Sequence, residues 1–168
     1  MKLSFLKFRT SLFLKKNKTS RTNLPYQKAN SIGIIFSVED KPKHDGIKEL
    51  IKKFEHDGKR VQVIEFLPKQ KDNYEFLFDF FTEKDLSFWG NITSHNALAF
   101  ADTPFDFIYY IDKEPNPYIL HLLARCKAKC RVGKFWEEGK PYFELMIESS
   151  NGIRGLMDEM YRYTSALK

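Results

Sequence analysis

Four carboxylates stand where an α/β chain does its chemistry. Glu39 and Asp40 directly follow one short apolar run, and Asp112 and Glu114 follow another. The runs, residues 31–37 (SIGIIFS) and 105–111 (FDFIYYI), have the β-branched and aromatic content of buried parallel strands. Ligands of an open α/β sheet bind outside the carboxyl ends of its strands, where the strand order reverses. Carboxylates placed there could coordinate a metal ion or act as general acid and base. The same residues could equally serve as loop solvation and helix caps.

Other kinds of chemistry find less in the residues. The loop 37–46 (SVEDKPKHDG) holds one late glycine, a proline and three acids. A phosphate cradle needs glycines that let the backbone approach the phosphates ahead of a helix N-terminus, so no dinucleotide or nucleoside triphosphate loop is expected here. His44, His56, His95 and His121 stand at no metal-ligand spacing from one another, and His121 reads as a partly exposed or satisfied helix residue. Cys126 and Cys130 straddle a helix end and a strand start; a zinc site would need two further ligands in pattern, so both read as buried free thiols. No G-x-S-x-G nucleophile turn occurs. The expected cofactor and metal complement is none.

The elements that must position these residues follow from periodicity. Residues 31–37 form a strand; Ile47, Leu50, Ile51 and Phe54 then make a helical stripe, with Asp45 as the expected N-cap and Gly58 as the residue just past the end. Residues 60–67 form the next strand, closing a βαβ unit. Residues 74–81 alternate and suggest a strand with one aromatic face, with a short helix running into a strand as the alternative; 84–89 read as a helical turn ended by Gly90, and 94–101 as a short helix capped by Ser94. After the strand 105–111, Asn116 caps a helix with Pro117 at its first position. Strands over 128–135 and 142–147 and a helix with the stripe Ile153, Leu156, Met157, Met160 and Tyr161 complete the chain. This alternation predicts a three-layer, Rossmann-like α/β sandwich with a mostly parallel sheet. At 168 residues the chain is one domain with a core that needs no metal or disulfide to fold.

Charge adds a location. Residues 1–38 carry eight bases and no acid, whereas the remainder carries 20 bases against 22 acids, so the net +6 sits wholly in the first segment. Residues 1–30 therefore read as a basic, partly amphipathic arm and linker ahead of a domain over 31–168, and removing residues 1–22 is expected to leave that domain folded. The arm is too short in apolar residues to span a bilayer, and Lys7 and Arg9 interrupt any secretory signal. Phe5, Phe8 and Leu12 share one helical face, with Leu6 and Phe13 to the side. Such a segment could lie on an anionic membrane, neutralise RNA phosphates, serve as an organellar targeting peptide, or pack back on the domain. The favoured expectation is a non-catalytic adaptor. Lys2, Lys7, Arg9, Lys15, Lys16, Lys18 and Arg21 would contact the anionic partner, and Phe5, Phe8, Leu12 and Phe13 would insert or stack. The membrane surface is preferred slightly over RNA or a ribonucleoprotein. Two cysteines fit a reducing, cytoplasmic setting, with docking at the inner membrane face. The aromatic block 74–89 should be mostly core, with an exposed protein-binding patch as its functional alternative.

The stretches SIGIIFSVED, FDFFTEKDLSFWG and FDFIYYIDKEPNPYILHLLARCKAKCRVGKF resemble an uncharacterised family of small bacterial proteins with a basic leader. That resemblance spans most of the chain and implies no activity. Residues 105–135 are also similar to the first domain of heptosyltransferase-type glycosyltransferases. Asp106 and Asp112 bracket the matching strand, and Ala128, Lys129, Arg131 and Gly133 match the family's next strand. The Gly-Asp loop of those enzymes is absent from 37–46, and 168 residues leave no room for their sugar-nucleotide domain. The resemblance implies the alternative reading, a degenerate or minimal transferase-like domain using Glu39, Asp40, Asp112 or Glu114.

Overall fold

The computed structural model describes residues 2–73 and 77–168. The chain runs α1 (Leu3–Lys16), β1 (Ser31–Ser37), α2 (Lys41–His56), β2 (Arg60–Phe66), β3 (Asp79–Phe81), α3 (His95–Asp102), β4 (Phe107–Tyr110), α4 (Pro117–Leu123), β5 (Cys130–Lys134), β6 (Leu145–Ile147) and α5 (Gly152–Ser165). The six strands lie in the order β3-β2-β1-β4-β5-β6, and every pairing is parallel. A parallel sheet must be covered on both faces, and the alternation along its strands divides the core accordingly. Ile32, Ile34 and Phe36 join Phe107 and Tyr109 under α2 and α5. Ile35, Ile64, Ile108 and Tyr110 face α3 and α4. The result is the expected three-layer, Rossmann-like sandwich.

Most local signals act as the sequence analysis expects. Ser94 accepts from Ala97 N at 3.2 Å as the cap of α3, and Asn116 accepts from Tyr118 N and Ile119 N ahead of Pro117 in α4. Past the end of α2, Gly58 sits at φ 79°, with Gly58 N bonded to Glu55 O and Lys59 N to Phe54 O, both at 2.9 Å. This double bond is a Schellman close, which needs the left-handed conformation that glycine supplies without strain.

Two local expectations are corrected. Helix α2 starts at Lys41, and its cap is Asp40, which accepts from Lys43 N at 2.9 Å, rather than Asp45. Pro42, compatible with a first turn, lets the helix begin early, and the buried residues of that turn, Lys43 and His44, are polar and so invisible to an apolar stripe. The strand expected over 74–81 is ordered as a strand only at Asp79–Phe81; Leu77 takes φ 49° and is exposed, and Tyr74 and Phe76 lie outside the described residues.

The segment ahead of β1 is tied to the domain from α1 onward. Helix α1 lies across α4, with Leu6 1% and Thr10 3% exposed. Beyond it, Asn17 Nδ2 donates to the carbonyls of Ala124 and Cys126 at 3.0 Å, satisfying the chain just past α4. Thr22 N bonds Lys129 O at 2.9 Å, and Tyr26 N bonds Leu167 O at 3.1 Å. Leu6 is therefore a core residue. Leu6→Ala should cost about 2 kcal/mol or more in urea unfolding and raise amide exchange in α1 before the rest of the sheet.

Candidate functional site

The strand order reverses between β1 and β4, so the crevice that an open sheet offers to ligands lies beyond Ser37 and Tyr110. There the chain has placed its own ion pair. Lys43, from the first turn of α2, is 1% exposed and donates from Nζ to Asp112 Oδ1 at 2.6 Å and to Ser37 O at 2.7 Å. Asp112 also accepts from Ser37 N at 2.9 Å and Ser37 Oγ at 2.7 Å. Asn116 Nδ2 donates to Ser37 Oγ at 3.0 Å while its carbonyl caps α4. Burial, with Asp112 near, pushes the Tyr110 hydroxyl well above the usual phenol range, so it stays protonated; it accepts from Asn116 N at 2.8 Å. The cavity beside this knot, lined by Tyr110, Asp112, Lys113, Glu114, Lys134 and Trp136 among others, measures about 70 Å³. Small-molecule sites run to roughly 300 Å³ and above, so this one has room for water and not for a nucleotide or sugar.

The four candidate carboxylates are thus only partly brought together. Asp112 and Glu39 flank Lys43, Glu39 at 3.7 Å and also 4.0 Å from Lys113. Glu114 lines the small cavity, and Asp40 is spent on capping α2. Asp106, which with Asp112 brackets the strand in the transferase-like stretch, sits at the other end of β4, roughly 20 Å from Asp112 at the rise of a strand. Asp106 accepts from Asn30 N, Ser31 N and Lys129 Nζ; burial works against its charge, and these donors nevertheless hold its carboxyl below the usual range. It anchors the entry to β1 and takes no part in the crevice. Among the described residues, no three His, Cys, Asp or Glu side chains group as a metal site requires.

The arm residues divide by face. Leu6 and Thr10 point into α4, and Phe13 packs on the ring of His121 at 4.8 Å. Phe5 and Leu12 are half-buried; Phe8 is 58% exposed. Lys2, Lys7, Lys15, Lys16 and Lys18 are exposed, and none of them forms an ion pair among the described residues. Arg9 instead lies along the loop at 87–91, its Nη2 3.3 Å from Asn91 Oδ1 and its stem over Gly90, which stands at φ 77°. A Cβ at Gly90 would meet Arg9 Cγ at 3.2 Å, so glycine serves both the turn and this close approach. Arg21 is half-buried, donating to Ala128 O and lying 3.9 Å from Glu144. Within the aromatic block, Phe81 is core and Phe78 packs on Phe36 and His44, whereas Phe80, Phe88 and Trp89 are exposed, the last two in edge-to-face contact at 5.2 Å.

Sequence reasoning missed the buried polar pairs, which leave no periodic signal. His44 Nε2 lies 2.9 Å from Glu65 Oε2, both residues fully buried. Glu65 Oε1 has no hydrogen-bond partner among the described residues. Arg131 makes a two-pronged contact with Glu144, Nε to Oε1 and Nη2 to Oε2 at 3.0 Å each. His121 joins α1 to the domain. Its Nε2 lies 2.7 Å from Gly90 O, which can only accept, so that nitrogen carries the proton; Nδ1 lies 2.8 Å from Thr10 Oγ1. The cysteines are buried free thiols as expected, burial pushing Cys126 up and Cys130 up to about 12.

These contacts set two expected outcomes. Lys43→Met strands the Asp112 carboxylate in the crevice and should cost about 3–5 kcal/mol in chemical denaturation, much of it recovered by adding Asp112→Asn. Burial holds the His121 pKa below its ordinary value, with Arg9 and Arg125 adding to the effect against the Gly90 bond. The unfolded chain then binds the proton more readily, so this contribution is complete above about pH 6.5 and lost as pH falls below it. Urea midpoints should fall from pH 7 to 5, and His121→Gln should flatten that fall.

No curated protein and no solved structure matches the chain. A family profile described as a family of unknown function (DUF6913) matches residues 2–167, so that α1 and its strap lie within the family's own extent. With nearly the whole sequence covered, the chain belongs to this family, DUF6913, whose function is unknown.

Proposed function

We propose that the chain is a non-catalytic α/β module that docks on an anionic membrane surface through the outer side of α1 and the loop beside it. The observation that carries this reading is the meeting of exposed aromatics with unpaired lysines. Arg9, lying on Gly90 and Asn91, sets the 87–91 loop beside α1, so Phe88 and Trp89 stand near the flank that bears Phe5, Phe8 and Leu12. Lys2, Lys16 and Lys18, on or next to α1, are exposed to water. Aromatic rings favour the headgroup level of a bilayer, and each nearby Lys contributes about 1 kcal/mol on anionic lipid. No helix among the described residues is long and apolar enough to cross a membrane, which fits a surface contact.

Two further observations support membrane over the alternatives. Phe88 and Trp89 cover each other edge-to-face at 87°, a poorer platform for stacked bases than a free ring. A transferase-like site would need its carboxylates open to substrate, and Asp112 is neutralised by Lys43 in a crevice too small for one.

The test uses point variants, because Leu6 and Thr10 make α1 part of the core. The full chain should sediment with phosphatidylcholine vesicles containing phosphatidylglycerol and release them at high salt. Phe88→Ala with Trp89→Ala, and separately Lys16→Glu with Lys18→Glu, should each weaken this at least tenfold without changing the urea midpoint. Unchanged sedimentation of both variants, or binding to single-stranded RNA with none to vesicles, would overturn the proposal.

A further inference from the structure

The opposite flank of α1 borders a groove of different character. One half, about 720 Å³, runs between α1 and the segments around α4 and β6; Leu14, Pro117, Leu120, Trp136, Pro141 and Tyr142 are among the residues that line it. The other half, about 450 Å³, continues from Ser11, Leu14 and Pro141, which line both, toward Lys15, Arg21 and Arg131. The two halves differ in polarity. The first is mostly apolar, with Lys7 and Glu138 the charged residues among its lining. The second is lined by three cations and no acid. Glu144 lies behind this end and must serve both guanidiniums, Arg131 at 3.0 Å and Arg21 at 3.9 Å. Burial, and then the like charge of Arg131, lower the Arg21 pKa from its ordinary value, against the opposing pull of Cys126 and Glu144.

We infer that this groove binds a free single-chain anionic amphiphile, a fatty carboxylate. Its tail would lie in the apolar half against Trp136 and Tyr142, and its head would reach Lys15 and Arg21. An apolar trough that turns cationic at one end complements a chain that is apolar along its length and anionic at one end. Glu138, at the far half, disfavours the reversed orientation. Each half lies within the range of sites that bury small ligands, and the two in line suit an elongated, flexible chain. The inference is separate from membrane docking, which uses the other flank of α1.

The probe is laurate below its micelle concentration, with dodecyl alcohol as the headless control. In a Trp89→Phe background Trp136 is the one tryptophan left, since the chain has two. Its emission should change saturably with one laurate per chain. Ser11→Phe, which fills the junction of the two halves from an exposed position, should weaken laurate at least tenfold while melting like the parent. Lys15→Gln should weaken laurate at least threefold and leave the alcohol unchanged. Absence of a saturable change, equal affinity for laurate and the alcohol, indifference to Ser11→Phe, or a dimer that closes the groove in sedimentation would overturn the inference. Vesicle sedimentation of Ser11→Phe should match the parent, so failure here and failure of membrane docking are read separately.

Discussion

The contact between Lys43 and Asp112 joins four parts of the molecule at once. It holds the end of β1 through Ser37, the exit of β4 through Asp112, the first turn of α2 through Lys43, and, by way of Ser37 and Asn116, the cap of α4. Bringing a lysine and a carboxylate out of water costs several kcal/mol per ion unless their remaining bonding positions are filled. Here the Ser37 carbonyl, amide and hydroxyl supply those partners. An open sheet parts its crossovers at this point and leaves a crevice; the ion pair closes it. The position most often given to a ligand is in this chain given to the fold.

Closing the crevice moves attention to the helix outside the sandwich. The lysines on α1 are not spent on neutralising the near-neutral domain beneath it. They face water because Leu6, Thr10 and Phe13 take the inward side, and because His121 bonds Thr10 on one ring nitrogen and the Gly90 carbonyl on the other. The same histidine therefore sets α1 and the 87–91 loop relative to each other. Helix α1 and a loop some eighty positions further along the chain are joined through it and through Arg9. A surface built in this way has its geometry fixed by the core, although its chemistry is that of a basic tail.

Much of the architecture was legible before the structure. Strand runs such as SIGIIFS announce burial on both faces, and the caps Ser94 and Asn116 with Pro117 announce helix starts, because those signals are local and depend on backbone hydrogen bonds. The start of α2 was not legible: its buried turn is polar, and Lys43 and His44 are tolerated only because Asp112 and Glu65 lie opposite them. Which side of α1 packs inward was not legible for a related reason. Phe5, Phe8 and Leu12 form the tidier apolar stripe, yet α4 presents His121, and a hydroxyl is what that ring can bond, so the buried side runs through Leu6 and Thr10.

By itself the sequence determined the α/β class, the parallel character of its core strands, the free thiols, and the concentration of positive charge ahead of Glu39. These follow from composition and period, which act within a few residues of one another. Only the tertiary structure decided that Asp106 and Asp112 lie at opposite ends of one strand, that Asp112 is neutralised by Lys43, and that the basic segment is docked with its lysines outward. Each of those depends on a polar partner distant in the chain, and a buried charge or hydroxyl is stable only where such a partner stands.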